Sequence, residues 1–131
     1  MKQLYILFLA VVLLSCGPYY APATTALEGG REFIDACLKG DFDKAASYMI
    51  EDKENNDYLL KIKRDFHENS SEQRMEYGKA SINIIEDAAM NDPVHIINYK
   101  NSYDNMARKV KVIKRDDKWL VDFKYTFNGN L

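Results

Sequence analysis

Read by polarity, the chain falls into three stretches. Residues 4–14 are apolar without a break. From about residue 26 to residue 66, apolar side chains recur at three- and four-residue intervals, the spacing of one face of a helix. From residue 80 the period drops to two, the spacing of strands with one covered face.

Within the helical stretch, Thr25 and Glu28 have capping-box spacing. Leu27, Arg31, Ile34, Cys37 and Leu38 then share a face, with Gly29 and Gly30 as a weak spot near its start. Gly40 suits a left-handed C-terminal cap. Asp41 is placed to cap a second helix carrying Phe42, Ala45, Ala46 and Met49 inward. Residues 51–57 read as a polar loop. A third helix over residues 56–69 turns Leu59, Ile62 and Phe66 inward. Ser70 and Gln73 form another capping box, opening one short turn before Gly78.

Four strands follow. Ala80, Ile82 and Ile84 alternate in the first, Asn91, Asp92 and Pro93 signal a turn, and residues 94–103 form the second. Val110 and Val112 point inward between lysines in the third, and Asp116, Asp117 and Lys118 make the next hairpin. The last, residues 119–127, places Trp119, Val121, Phe123, Tyr125 and Phe127 on one face and Asp122, Lys124 and Thr126 on the other. One dry face and one wet face describe an antiparallel sheet covered on one side. The expected class is therefore α+β, three N-terminal helices packed on a four-stranded, mostly antiparallel sheet.

The leading apolar run is a different object. An eleven-residue helix rises about 16 Å at roughly 1.5 Å per residue, half of a hydrocarbon core about 30 Å thick. With Lys2 in front, it has the proportions of a signal-peptide core. It ends Leu13, Leu14, Ser15, Cys16, and that quartet resembles the lipobox of bacterial lipoprotein precursors. The resemblance implies cleavage after Ser15 and lipid on Cys16, leaving residues 1–15 as signal peptide. Residues 16–25 follow as lipidated cysteine and flexible tether, with Pro18 and Pro22 and no charge, spanning about 25–30 Å if extended. Two or more acyl chains anchor stably where one does not. The implied localisation is the bacterial cell envelope, on the periplasmic face of the outer membrane, since no acidic export cluster follows Cys16.

Composition narrows the partners. The 131 residues carry 18 Lys and Arg against 20 Asp and Glu, a net charge of −2 that becomes one unit more negative without Lys2. Nucleic acid is disfavoured as an electrostatic partner. Once Cys16 is lipidated, Cys37 has no cysteine to pair with, and its place on an apolar stripe reads as a small buried hydrophobe.

Residues 39–45, "KGDFDKA", and the closing hairpin 110–123, "VKVIKRDDKWLVDF", resemble the nuclear transport factor 2-like superfamily, in particular its short Bacteroidetes-type lipoproteins of unknown function. The resemblance extends over residues 26–127, with the domain continuing to residue 131, and implies a curved sheet wrapping the helices into a cone with an open end. That superfamily hosts enzymes, carriers and accessory domains, so the fold leaves the activity open.

Candidate chemistry is sparse. The two histidines, His67 and His95, are far apart with no nearby ligand set, so neither zinc nor another cofactor is expected. His95, Ile97 and Tyr99 alternate on one side of a strand and, with Tyr103, make a polar–aromatic row. If the row faces the cone it offers a base and phenol hydroxyls; if it faces out, Val94 and Ile96 are core instead. Asp35 and His67 read as solvated, and Asp122 falls on the wet face. Two functions follow: a lipid-anchored, non-enzymatic module burying a small apolar ligand or an envelope-protein partner against Tyr48, Tyr99, Tyr103, Trp119 and Tyr125, or an isomerase- or dehydratase-like enzyme using His95 with Tyr99. Oligomeric state stays open.

Overall fold

The computed structural model describes residues 17–128; the apolar run, Ser15 and Cys16 lie outside them, as do residues 129–131. Four helices precede four strands: α1 (Ala26–Lys39), α2 (Phe42–Ser47), α3 (Lys53–Glu68), α4 (Ser71–Lys79), β1 (Ile82–Asn91), β2 (Val94–Asn101), β3 (Arg108–Arg115) and β4 (Lys118–Asp122), closed by a 3-10 turn at Phe123–Phe127. The strands pair in chain order, every neighbour antiparallel. The helices cover one face of this curved sheet, which is the expected α+β architecture.

The N-caps form at the expected residues, although at Thr25 the return arm of the box goes to Thr24. Thr25 Oγ1 accepts from the Glu28 N–H at 3.1 Å, and the Glu28 carboxylate reaches Thr24. Gly40 closes α1 at φ +75°, and Asp41 caps α2 through the Lys44 N–H. Ser70 and Gln73 form a reciprocal box. It opens a nine-residue helix, longer than the single turn expected. Asp52 caps α3 through the Asn55 N–H at 2.8 Å, so the helix starts at Lys53, inside the presumed polar loop. Conversely α2 stops at Ser47, and Met49 bridges Val121 at the outer edge of β4.

Two features correct the reading of α1. Its buried face holds Ala26, Gly29, Gly30, Phe33, Ile34, Ala36 and Leu38, while Leu27 is only half-buried and Arg31 is exposed. The two glycines are the contact itself. A methyl at position 29 would lie 2.7 Å from the Trp119 carbonyl oxygen, and one at position 30 would lie 2.7 Å from Ile97 Cδ1. The tether is also shorter than expected. Ala23 is buried, and Tyr48 Oη donates to the Ala21 carbonyl at 2.7 Å, so residues 21–25 lie on the domain.

The last strand is the other correction. The ladder stops at Asp122, and residues 123–127 wind into the 3-10 turn, so Tyr125 and Phe127 do not share a strand face with Trp119. The physical cause is Asn55. This fully buried amide donates to Ile50 O, Asp52 Oδ2 and Asp122 Oδ1, each at 3.1 Å, and accepts from the Lys124 N–H at 2.7 Å. Lys124 Nζ then joins Asp52 and Asp122, both at 2.8 Å. Asp122, expected on the wet face, is buried in this network. The Thr126 hydroxyl donates to the Lys109 carbonyl, a group that a longer β4 would have paired. The Asn55 backbone N–H donating to the Asp52 carboxylate holds that carboxyl below its usual range, aided by the Lys124 ammonium.

In an exposed helix, replacing Gly with Ala stabilises by about 1 kcal/mol. Gly29→Ala should instead destabilise the protein by about 1–3 kcal/mol, because the obstructing atom is backbone oxygen and the whole helix must lift. Urea unfolding of the variant checks this; an unchanged or higher midpoint would show that α1 is not seated on Trp119.

Candidate functional site

A β-bulge decides what the sheet shows the helices. Between Ile84 and Glu86 the register of β1 shifts, leaving Ile85 as the extra residue. Before the bulge Ile82 and Ile84 oppose Asn101 and Tyr99; after it Asp87 and Ala89 oppose Ile97 and His95. A bulge reverses the alternation from that point on. On β2, Ile97, Tyr99 and Asn101 are buried, so the row containing His95 and Tyr99 faces the helices.

That row is divided between two environments. At the β1–β2 hairpin end, His95 Nδ1 lies 2.8 Å from Asp87 Oδ1 and the ring sits edge-on to Trp119, with centroids 5.2 Å apart. Four residues further on, about 13 Å along the strand at roughly 3.3 Å each, Tyr99 lines a cavity of about 430 Å³. Its walls come from the C-terminal half of α1 (Phe33, Ile34, Cys37, Leu38), from α3 (Ile62, Asp65, Phe66), from β2 and β3 (Tyr99, Asn101, Arg108) and from the closing turn (Phe123, Thr126, Phe127). His95 is not among its lining residues.

The sequence candidates therefore part company. Tyr99 lines the cavity; Tyr48, Trp119 and Tyr125 do not. Tyr48 is buried against the tether segment, Trp119 packs over Gly29, and Tyr125 lies near Lys111 Nζ, 5.8 Å from its ring centroid. Tyr103 follows β2 in a turn and stacks on Tyr77, a cavity residue, at 4.0 Å between centroids. Tyr58 stacks on Phe127 at 4.3 Å. Sequence reading passed over Asn101, Asp104 and Arg108. The Arg108 guanidinium forks onto Asp104, Nη1 to Oδ1 at 3.0 Å and Nη2 to Oδ2 at 2.6 Å. Asp104 and Arg108 are four residues apart across a turn, and that spacing was the available signal.

Burial pushes the Tyr99 phenol and the Cys37 thiol well above their ordinary values, and the Arg108 hydrogen bonds hold the Asp104 carboxyl below its own. Among the described residues no group of His, Cys, Asp and Glu could hold a metal ion, and no helix is long and apolar enough to cross a membrane.

With this geometry in hand, the comparisons bear on the fold. No family model matches the chain, and no curated protein does. Among solved structures, an NTF-2 like protein of unknown function from Shewanella oneidensis MR-1 superposes with a TM-score of 0.51 at 14% identity, covering 72% of this chain and 89% of that one. The class is thus a nuclear transport factor 2-like fold. At that identity the likeness speaks for architecture alone, as fold and function separate readily in widely shared folds.

A thiol held protonated is a poor nucleophile. Alkylation of Cys37 by iodoacetamide at pH 8 should run at least about tenfold slower in the folded protein than in urea. Mass spectrometry of timed aliquots measures it, and equal rates would mean the thiol is neither enclosed nor shifted.

Proposed function

We propose that this protein is a lipid-anchored module of the bacterial envelope whose cavity takes up a small, mostly apolar ligand without transforming it. The observation that carries the reading is the cavity itself. Its volume lies within the roughly 300–1,000 Å³ of small-molecule sites, and its walls are mainly aromatic and aliphatic with a few polar groups among them. Interiors otherwise pack to crystal-like density, so a hollow of this size gives up contacts that a guest would restore.

The enzymatic alternative has less support. A base must come within hydrogen-bond reach of the proton it removes. His95 is held by Asp87 beside Trp119, away from the cavity that Tyr99 lines. Cys37 and Tyr99, which do line it, are kept in their neutral forms by burial.

Anchoring rests on the lipobox resemblance and fits the fold's polarity. The chain joins the domain at residues 21–23, beside the N-terminal end of α1, whereas the cavity takes the C-terminal half of the same helix. Over 14 residues at about 1.5 Å each, those ends are some 20 Å apart. A domain tethered at Cys16 would hold its cavity on the side away from the anchor.

Two measurements test the two halves of this reading. Native mass spectrometry of the full chain, extracted gently from its own host, should show an extra mass that disappears on denaturation. Cys37→Phe should lose it while remaining folded, since the new ring projects into the hollow. A bare wild-type chain would turn attention to a protein partner. Separately, Cys16→Ser should move the protein from the membrane fraction to the soluble one and abolish incorporation of labelled palmitate; unchanged membrane association would remove the lipoprotein assignment.

A further inference from the structure

The polar residues that line the cavity identify the kind of molecule it would accept. Only two lining residues carry charge, Asp65 and Arg108. The guanidinium is already engaged, with both terminal nitrogens on the Asp104 carboxylate and Nη1 also on the Met106 carbonyl at 3.3 Å. Arg108 therefore presents a neutralised ion pair to the cavity, and Asp65 adds negative charge to the wall. An anionic ligand would have to displace Asp104 or surrender its hydration to neutral groups, and a desolvated carboxylate without a counter-ion is costly.

Neutral donors also line the wall, Asn69, Tyr77, Tyr99 and Asn101 among them, and the last two stand on one strand. Tyr99 and Asn101 stand two apart on the buried face of β2, about 7 Å along the strand, and both line the cavity. Asn101 Oδ1 accepts the Tyr103 and Asp104 N–H groups at 2.9 and 3.1 Å, which fixes the amide's orientation and leaves its Nδ2 hydrogens without a protein acceptor among the described residues. The Tyr99 hydroxyl likewise has no hydrogen-bond partner among the described residues. Both donors open onto the cavity, since among the described residues the buried side-chain atom left without a partner is Asn98 Oδ1, and an oxygen acceptor on the guest would pair with them.

Building on the cavity reading above, we infer that the ligand is an uncharged, mostly apolar molecule carrying a carbonyl or hydroxyl oxygen, seated between Tyr99 and Asn101, and that the Asp104–Arg108 pair excludes its carboxylate counterparts. Asp104 is thus a specificity-determining residue that acts through Arg108.

A matched pair of probes tests this: 2-acetylnaphthalene, a neutral ketone, and 2-naphthoate, of nearly the same shape but anionic. Binding to the full chain in lipid nanodiscs is measured by equilibrium dialysis, with empty nanodiscs as blank. The wild type should hold the ketone at least about tenfold more tightly than the naphthoate. Asp104→Asn, freeing the guanidinium, should raise naphthoate affinity about tenfold or more and leave the ketone within a few-fold. Tyr99→Phe should weaken the ketone about five- to twentyfold, the loss of one buried hydrogen bond, and leave circular dichroism unchanged. Naphthoate bound as tightly as ketone by the wild type, or unaffected by Asp104→Asn, overturns the inference while sparing the cavity reading. Neither probe retained by the wild type or by Asp104→Asn overturns both. The wild-type comparison decides the matter by itself should Asp104→Asn fail to fold.

Discussion

The first helix can lie on this sheet only because positions 29 and 30 carry no side chain. A helix normally keeps its neighbours at a distance set by the side chains between them. Here the α1 backbone comes down onto the Trp119 carbonyl and the tip of Ile97, close enough that a single methyl at either position would collide. Two glycines early in a helix weaken it locally. What they permit is tight seating at the N-terminal end, with Ala26 and Ala23 tucked beside them. Further along the same helix the residues become large, and Phe33, Ile34, Cys37 and Leu38 face the hollow that the glycine end lacks. The helix is flush at one end and stands over a cavity at the other.

The second constraint closes that cavity. A strand continued through residue 127 would have extended the sheet past Asp122. Asn55 prevents it by taking the Lys124 N–H and the Asp122 carboxylate into a buried network, and the chain turns. The turn brings Phe123, Thr126 and Phe127 round as a wall, and Tyr58 from α3 stacks on Phe127 to hold it. A buried polar network of this kind is stable only when its members are satisfied, and each of the four side chains, Asp52, Asn55, Asp122 and Lys124, finds partners within it. The polar cluster thus shapes an apolar site.

Much of the architecture was legible because it is local. Caps at Thr25, Asp41 and Ser70 depend on side chains reaching backbone three residues away, and the alternation that buries Val110 and Val112 follows from the two-residue period of a strand. What stayed hidden depends on distant partners. Asn55 lies among polar residues and looks like loop until Asp122 and Lys124, nearly seventy positions later, arrive beside it. The glycine pair reads as a defect until Trp119 is placed above it. The bulge at Ile85 leaves no mark in the polarity pattern, yet it alone brings Asp87 round to His95. Of the proposed site residues, Tyr99 lines the cavity because its strand was read correctly. His95, on the same face, serves another corner of the domain, since a shared face does not mean a shared pocket four residues further along.

The site follows from the same separation of ends. The histidine lies at the hairpin end, paired with Asp87 and against the indole, while the cavity is lined by a phenol, a thiol, an amide and an arginine matched to an aspartate, with the Asp65 carboxylate as its one further charge. Neutral hydrogen-bond donors such as the phenol and the amide distinguish ligands by shape and by one acceptor atom. General acid–base catalysis instead needs a group poised to change its protonation near the working pH. In this cavity burial moves Tyr99 and Cys37 away from that range rather than toward it. A pocket assembled from such residues is suited to holding a molecule, and the argument for a binding module rests on that choice of side chains more than on the fold that presents them.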